Sequence, residues 1–366
     1  MAGDARAVAI VHFTEAMATG VLTVVRGLAN DSAGRGIPTT VVYGRRPETP
    51  SDLAARFHPD VRLIEAAGFG TRSLRGVAAT LKAASVLRRE LARHEAGVLH
   101  VHSTFAGVVG RLVPLRRGWR RFYSPQGYAF LNPDHPILVR TAAQTLERVL
   151  GRRATTLTAS DTEAEVARRR LGLRRVETVH NGIAAAPPLG RPEDDTSTSR
   201  VVFVGRAVPE RRPDLFAAIA GRFRERPDVS FEWVGDGPLK SELERAGVEV
   251  TGWLSPEEVA TRLAAADVVV HLATFEGLPL ALLEAMRAGR PVIASNLPVL
   301  REVGDGVFDF VDGPDDGAEA VERLLSDPDL RAERGAAAAG RVREQYSIEA
   351  MTSAAYRAYG LEEAGR

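Results

Sequence analysis

The 366-residue chain contains no cysteine, which excludes disulfides and thiolate metal sites and is neutral toward a reducing compartment. Lysine is almost missing: Lys82 and Lys240 stand alone, and every other cation is arginine. No run of about 18 apolar residues occurs, so no membrane-crossing helix is expected. The opening residues, Met1 to Arg6, lack the charged start and cleavage site of a secretory signal and lead directly into a strand pattern. Aromatics are sparse at 6% and do not interleave the basic clusters, which argues against nucleic acid as a partner. These absences together lead to the expectation of a cytoplasmic protein.

What is present points to well-packed interiors. Hydrophobic residues make up 45% of the chain, and its length suits two domains of about 150–200 residues each. The net charge of +1 hides an asymmetry. Residues 1–190 carry 27 Lys+Arg and 15 Asp+Glu, a balance of +12; residues 191–366 carry 21 and 32, a balance of −11. Such a split implies different partners for the two halves. Arg111, Arg116, Arg117, Arg120 and Arg121, with Arg72, Arg75, Arg88 and Arg89, read either as solvated faces or as a surface for lipid phosphate at the inner face of a membrane.

Apolar strand-like runs alternate with helical periodicity throughout, the pattern of parallel α/β sheets. Strands are expected near 7–13, 39–43, 61–64, 98–102, 121–124, 155–159 and 176–180. A second series is expected near 201–205, 230–234, 248–251, 268–272, 292–294 and 308–311. Residues 184–199, rich in Pro, Gly, Asp, Ser and Thr and without periodicity, read as a linker. The expected fold is α/β, with two Rossmann-like doubly wound domains over 1–185 and 186–345 and a C-terminal helix at about 346–366. In such sheets ligands bind at the carboxyl ends of the strands, here facing a central cleft.

The most informative stretch runs from Glu276 to Met286. A strand, Val268-Val269-Val270-His271-Leu272, feeds a loop holding Glu276, Gly277, Leu278 and Pro279, and Leu280 opens a helix that carries Glu284. Two carboxylates thus flank the N–H groups of a helix start, an anion-binding arrangement. Carboxylates accept from sugar hydroxyls while the amides suit phosphate, so the pattern describes a pocket for a phosphate-bearing sugar. An isolated pair of glutamates so spaced would read as solvated charges; the buried strand, the Gly-x-Pro turn and the apolar helix set this pair apart. Upstream, Val201 to Val204 ends in Gly205-Arg206, with Arg211 following on the same loop. Guanidinium groups supply forked, permanently charged donors for a diphosphate.

The segment 276–286 resembles the Glu-x7-Glu element of family-4 glycosyltransferases, retaining enzymes of the GT-B fold, and the likeness extends from residue 10 to about 350. The resemblance implies that Glu284 holds the nucleotide ribose, that Glu276 lies near the donor sugar, and that the amides of Gly277, Leu278 and Leu280 face sugar and phosphate. Arg206 and Arg211 correspond to the two cations of a Gly-Arg…Lys element that neutralise the leaving diphosphate; arginine replaces lysine at the second position. Gly235, in Val234-Gly235-Asp236-Gly237-Pro238, matches a Gly-Asp-Gly-Pro turn and reads equally as a tight turn before a helix. Trp253, in Thr251-Gly252-Trp253-Leu254, falls where the base rests, or belongs to the core.

In the first half, 13–21 resembles a Gly-Gly loop that approaches donor phosphate and acceptor, with Thr19 replacing the first glycine and leaving Gly20. His100-Val101-His102-Ser103 places two imidazoles on one strand face, weak grounds for a metal, and the family needs none. Gln126 stands where relatives carry histidine. An amide orients a hydroxyl but takes no proton near pH 7, so either His102 substitutes or the leaving phosphate oxygen accepts the acceptor's proton. Gly68-Phe69-Gly70 lacks the third glycine of a dinucleotide loop, and Asp327-Pro328-Asp329 reads as a helix cap rather than a metal motif.

The expected activity is therefore retaining transfer of a sugar from a nucleoside-diphosphate sugar, UDP- or GDP-linked, to a glycan, lipid-linked or small-molecule acceptor in cell-surface polysaccharide or glycoconjugate synthesis. No cofactor or metal is expected beyond that co-substrate. A GT-B nucleotide-sugar epimerase and a non-catalytic sugar-nucleotide-binding subunit are the alternatives; a phosphorylase would need a cofactor lysine that neither Lys82 nor Lys240 is placed to supply.

Overall fold

The computed structural model describes residues 8–70, 74–184 and 198–361. The expected linker therefore lies largely outside the described residues, as does Arg72. The chain divides into two compact units. One comprises residues 1–131, 137–182 and 348–366; the other comprises 132–136 and 183–347.

The first unit is built on β1 (Ala9–Thr14), β2 (Thr39–Tyr43), β3 (Val61–Glu65), β4 (Gly97–His102), β5 (Trp119–Ser124), β6 (Thr155–Thr158) and β7 (Val176–Thr178). They form a seven-stranded sheet ordered β3-β2-β1-β4-β5-β6-β7, parallel at every pairing. Strands β1 and β4 are buried at every residue, which is why they read as continuous apolar runs rather than alternating ones. The second unit holds β8 (Ser199–Val204), β9 (Val229–Val234), β10 (Glu249–Val250), β11 (Val268–His271), β12 (Val292–Ser295) and β13 (Asp309–Val311), ordered β10-β9-β8-β11-β12-β13 and again parallel.

Both sheets reverse strand order between their first and fourth strands, the switch point at which a crevice opens beyond the carboxyl ends. For the first unit that point lies between β1 and β4, and for the second between β8 and β11. Below the second switch point, Phe203, Phe216, Ile219, Trp233, Leu243 and Val270 are almost wholly buried, each contributing on the order of 1.5–3 kcal/mol by leaving water. The helix Ile348–Tyr359 packs within the first unit: Tyr356 Oη donates to Ser32 Oγ at 2.9 Å, and Tyr359 Oη meets His100 Nδ1 at 2.6 Å.

The arginine cluster departs from the expectation of a uniformly exposed basic face. Arg111 is fully buried. Its Nη1 donates to Glu147 Oε2 at 2.7 Å, its Nε to the Gly107 carbonyl at 2.7 Å, and its guanidinium lies 3.9 Å over the Tyr123 ring. Tyr123 Oη donates to the other Glu147 oxygen at 2.9 Å. A charge so far from water persists only when paired, so Arg111 is internal wiring and not a lipid contact.

Removing one partner of this pair strands the other charge. We expect Arg111→Met to lower stability by about 3–5 kcal/mol. Adding Glu147→Gln, which keeps an acceptor for Tyr123, should recover a large part of that. Denaturant midpoints of the single and double variants decide; a single-variant loss below about 1 kcal/mol would contradict the assignment.

Candidate functional site

At the second unit's switch point, three glycines draw two loops together. Gly235 (φ 144°) passes so close to the Gly205 carbonyl that a Cβ would sit 2.1 Å from that oxygen, and one on Gly237 would lie 2.5 Å from the Ala207 carbonyl. Only glycine permits such approach. The loops are joined by Gly205 N–H to the Val234 carbonyl at 3.0 Å and Ala207 N–H to the Asp236 carbonyl at 2.9 Å. Trp233 Nε1 donates to the Gly205 carbonyl at 2.8 Å. The corner after β8 is thereby held rigidly beside the corner after β9, and Arg206 leaves it as an exposed guanidinium with no ion pair among the described residues.

Arg211 ends a 3-10 turn, Pro209–Arg211, which is tied to the loop after β11 by Thr274 N–H donating to the Glu210 carbonyl at 3.0 Å. The guanidinium forms an ion pair with Glu276 Oε1. Burial lowers Arg211 to about 10, partly offset by Glu210. The same Glu276 oxygen lies 3.2 Å from His271 Nε2. His271 is lowered to about 3, chiefly by burial and then by the positive charge of Arg211. Being neutral and facing a carboxylate that can only accept, the ring must carry its proton on Nε2. Its plane is set by stacking: Phe203 lies 3.8 Å from Trp233 and 5.9 Å from His271, nearly parallel to both. Sequence inspection missed His271 as a partner, although its place at the end of β11, five residues before Glu276, was the available signal.

Glu284 lies half-buried in the helix Leu280–Arg287, whose N-cap is Pro279. The N–H groups of Leu280, Ala281 and Leu282 open this helix without intrahelical acceptors. Leu278 is buried and Gly277 half-buried. Trp253 is 60% exposed, which removes the core reading; it follows Gly252, which bridges to Gly235. The cationic corner and the carboxylate corner therefore meet on one side of one sheet, as a ligand combining diphosphate and sugar hydroxyls requires.

The first unit presents a separate set at its own switch point. Glu15, just past β1, is 4% exposed; its Oε2 accepts from Ser103 Oγ at 2.5 Å and from Ala106 N–H at 2.8 Å. Ser103 holds φ 67° and Gln126 φ 57°, left-handed values uncommon outside glycine that concentrate at functional loops. Gln126 Oε1 accepts from Asn181 Nδ2 at 3.3 Å. Its loop is fixed by Glu163, which accepts from Gly127 N–H and Ala159 N–H, both at 2.9 Å. Neither Glu15 nor Glu163 was singled out from sequence, since single glutamates in loops and helix starts carry no local mark. Gly20 lies in the first turn of the helix Thr19–Gly34, whose start has no side-chain cap.

His102 is placed differently from the acceptor-facing position expected of it. It is fully buried, with Nε2 3.0 Å from His12 Nδ1 and a pKa held well below the ordinary value by burial and by its histidine neighbours. A ring without exposure serves the packing between β1 and β4. His12, His100 and His102 bring ring nitrogens within 4.8 Å of one another. His100 engages Tyr359 Oη and, at 2.9 Å, Ser124 Oγ, so these contacts account for most of the cluster's polar atoms. The two decoys behave as read: Phe69 is a core residue stacked 4.9 Å from Phe13, and Asp327 accepts from Leu330 N–H at 2.9 Å as an N-cap.

Residues 198–327 match the family profile described as Glycosyl transferases group 1, and residues 18–186 match that described as Glycosyltransferase Family 4. The chain is 27% identical to the alpha-D-kanosaminyltransferase of Streptomyces kanamyceticus, across 92% of this chain and 99% of that protein. Among solved structures it resembles sucrose-phosphate synthase from Thermosynechococcus elongatus, with a TM-score of 0.82 and 17% identity over 98% of this chain and 100% of the other. It also resembles the Anabaena HepE protein in complex with UDP and glucose, with a TM-score of 0.78 and 15% identity over 96% and 99%. At such identities the structural likeness speaks for the fold, and that fold is GT-B.

The buried imidazoles make acid sensitivity measurable. His12 and His271 are lowered to about 3 by burial, against an ordinary 6.5. Between those values the unfolded chain takes up protons that the folded chain refuses. Their contribution is thus complete above about pH 6.5 and is lost as pH falls toward 3. Each should cost about 2–3 kcal/mol between pH 6.5 and 4.5. Denaturant titrations across that range should show a shallower slope for His12→Phe than for the parent chain; equal slopes would refute the buried neutral state.

Proposed function

Because the chain is a glycosyltransferase of the group 1 and family 4 lineage, we propose that it transfers a sugar from a nucleoside-diphosphate sugar to an acceptor hydroxyl with retention of anomeric configuration. The observation that carries the reading is the convergence of Arg211, Glu276 and His271 at one switch point, with Arg206 on the adjoining corner. Arg206 and Arg211 meet the diphosphate and stabilise the charge that grows on it as the glycosidic bond breaks. The amides of Gly277, Leu278 and Leu280 add neutral donors at the helix start. Glu276, anchored by its two neighbours, accepts from the donor-sugar hydroxyls, and Glu284 accepts from the ribose. The exposed Trp253 indole and the Gly235 turn offer a surface for the base.

On the acceptor side, Gln126 orients the incoming hydroxyl and Gly20 allows close backbone approach. Neither Gln126 nor the buried His102 supplies an accessible base. We therefore assign the acceptor's proton to an oxygen of the departing diphosphate. As the bond from the anomeric carbon to phosphate oxygen breaks, the acceptor oxygen bonds to that carbon from the same face and its proton passes to the leaving group. Two arginines and a helix start supply the positive charge this needs, so the assignment invokes no metal ion. The complex of the Anabaena protein with UDP and glucose supports a uridine donor as the first to test. The acceptor class is a glycan, lipid-linked or small-molecule hydroxyl.

Glu276→Ala should retain nucleotide binding within about threefold while turnover falls by about 10²-fold or more, since the lost contact acts on the reacting sugar. Arg206→Ala should weaken binding of the nucleoside diphosphate by roughly tenfold or more. Product-anomer NMR and calorimetry with UDP- and GDP-sugars read both effects. An inverted product, or full turnover by Glu276→Ala, would overturn the proposal.

A further inference from the structure

The first unit contains a second basic site, at the opposite edge of its sheet from Glu15, Ser103 and Gln126. A cavity of about 670 Å³ opens where β5 and β6 begin, lined by Arg120, Arg121, Arg153 and Arg175 together with the apolar Leu112 and Pro114. No carboxylate lines it, and among the described residues none of the four arginines forms an ion pair. Along β5, Arg120 lies at the strand start and Gln126 beyond its end, a separation of roughly 20 Å at the rise of an extended chain.

Two of the arginines, Arg121 and Arg175, are held there by the fold. Arg121 Nη1 donates to the Arg111 carbonyl at 3.0 Å and to the Arg153 carbonyl at 3.3 Å, while its Nη2 donates to the Val113 carbonyl. Arg121 Nε is buried and has no hydrogen-bond partner among the described residues. Arg175 Nη2 donates to the Arg152 carbonyl at 2.5 Å. Arg121 is lowered to about 10, first by burial and then by the like charges of Arg153 and Arg111. Fixed like charges without a counter-charge repel one another, and a bound anion relieves that repulsion.

We propose that this cavity is a second anion site, distinct from the sugar-nucleotide site, that takes a phosphate or diphosphate group, with the apolar wall of Leu112 and Pro114 receiving the carbon portion attached to it. Arginine forks match the oxygens of phosphate. Leu112 is 50% exposed at the lip and gains cover when a hydrocarbon lies against it. The phosphate belongs either to a soluble ester or to a lipid headgroup; both present the same chemistry to the four guanidiniums.

Inorganic pyrophosphate is the probe for the first source. Calorimetry on the full chain should resolve two classes of site. Arg153→Glu with Arg175→Glu, both exposed, should weaken one class at least about tenfold and leave UDP affinity unchanged, whereas Arg206→Ala should affect the other class. Thermal melting verifies that each variant folds, and Arg153→Gln with Arg175→Gln repeats the test without reversing charge. Sedimentation with phosphatidylglycerol vesicles, against phosphatidylcholine, probes the lipid source, with Arg116→Glu and Arg117→Glu as a reversal outside the cavity. A pyrophosphate class lost only in the cavity variants supports a soluble ligand. Vesicle binding lost in the cavity variants but kept in the outside reversal supports a headgroup. Isotherms unchanged by the cavity variants, with vesicle binding either unchanged or lost equally in both reversals, overturn the proposal.

Discussion

The carboxylate of Glu276 sits between the half-buried guanidinium of Arg211 and a neutral imidazole, and the donor side of the molecule is organised around that contact. Arg211, lowered to about 10 by burial, is paired there with that carboxylate. His271 in turn is aimed by the flat stack of Phe203, on the neighbouring β8, and Trp233, on β9 beyond it. Trp233 also holds the carbonyl of Gly205, so one aromatic layer positions both the cationic corner and the acidic one. A carboxylate anchored on two sides loses little freedom when it meets a ligand, and preorganisation of this kind is the main means by which a protein stabilises developing charge.

Parallel topology explains why such different residues meet. Within each sheet the strands run parallel to one another, so in each unit the loops that follow its strands emerge on one edge of that unit's sheet. The reversal of order between the first and fourth strands opens a gap among those loops. In the first unit this gap collects Glu15, the left-handed Ser103 and, one strand further, the left-handed Gln126. Two unfavourable backbone conformations persist there because buried carboxylates hold their surroundings, Glu15 through Ser103 and Ala106, and Glu163 through Gly127 and Ala159.

The arginine-rich first half divides by depth. Arg111 is internal and neutralised by Glu147; Arg121 directs its two terminal nitrogens at backbone carbonyls; Arg120, Arg153 and Arg175 reach solvent around one cavity. One residue type thus meets three surroundings, since a guanidinium can pair with a carboxylate, cap several carbonyls or stand in water.

The sequence by itself determined the α/β alternation, the carboxyl-edge position of the loops, and the Gly205-Arg206 and Glu276-to-Glu284 elements. Each of these is a local signal: a strand is a short apolar run, and a loop that binds phosphate needs glycine, charge and a helix start within a few residues. Tertiary structure decided what depends on depth and on distant partners. Strand alternation put His100 and His102 on one face but left open whether that face was wet, and His12, 90 residues from His102, closes it. Arg111 and Glu147 are 36 residues apart, Trp253 is bare, and Glu163 reaches back to Gly127. Periodicity reports which side a residue takes, whereas burial and pairing follow from which strands and helices pack together, and only the folded chain specifies that.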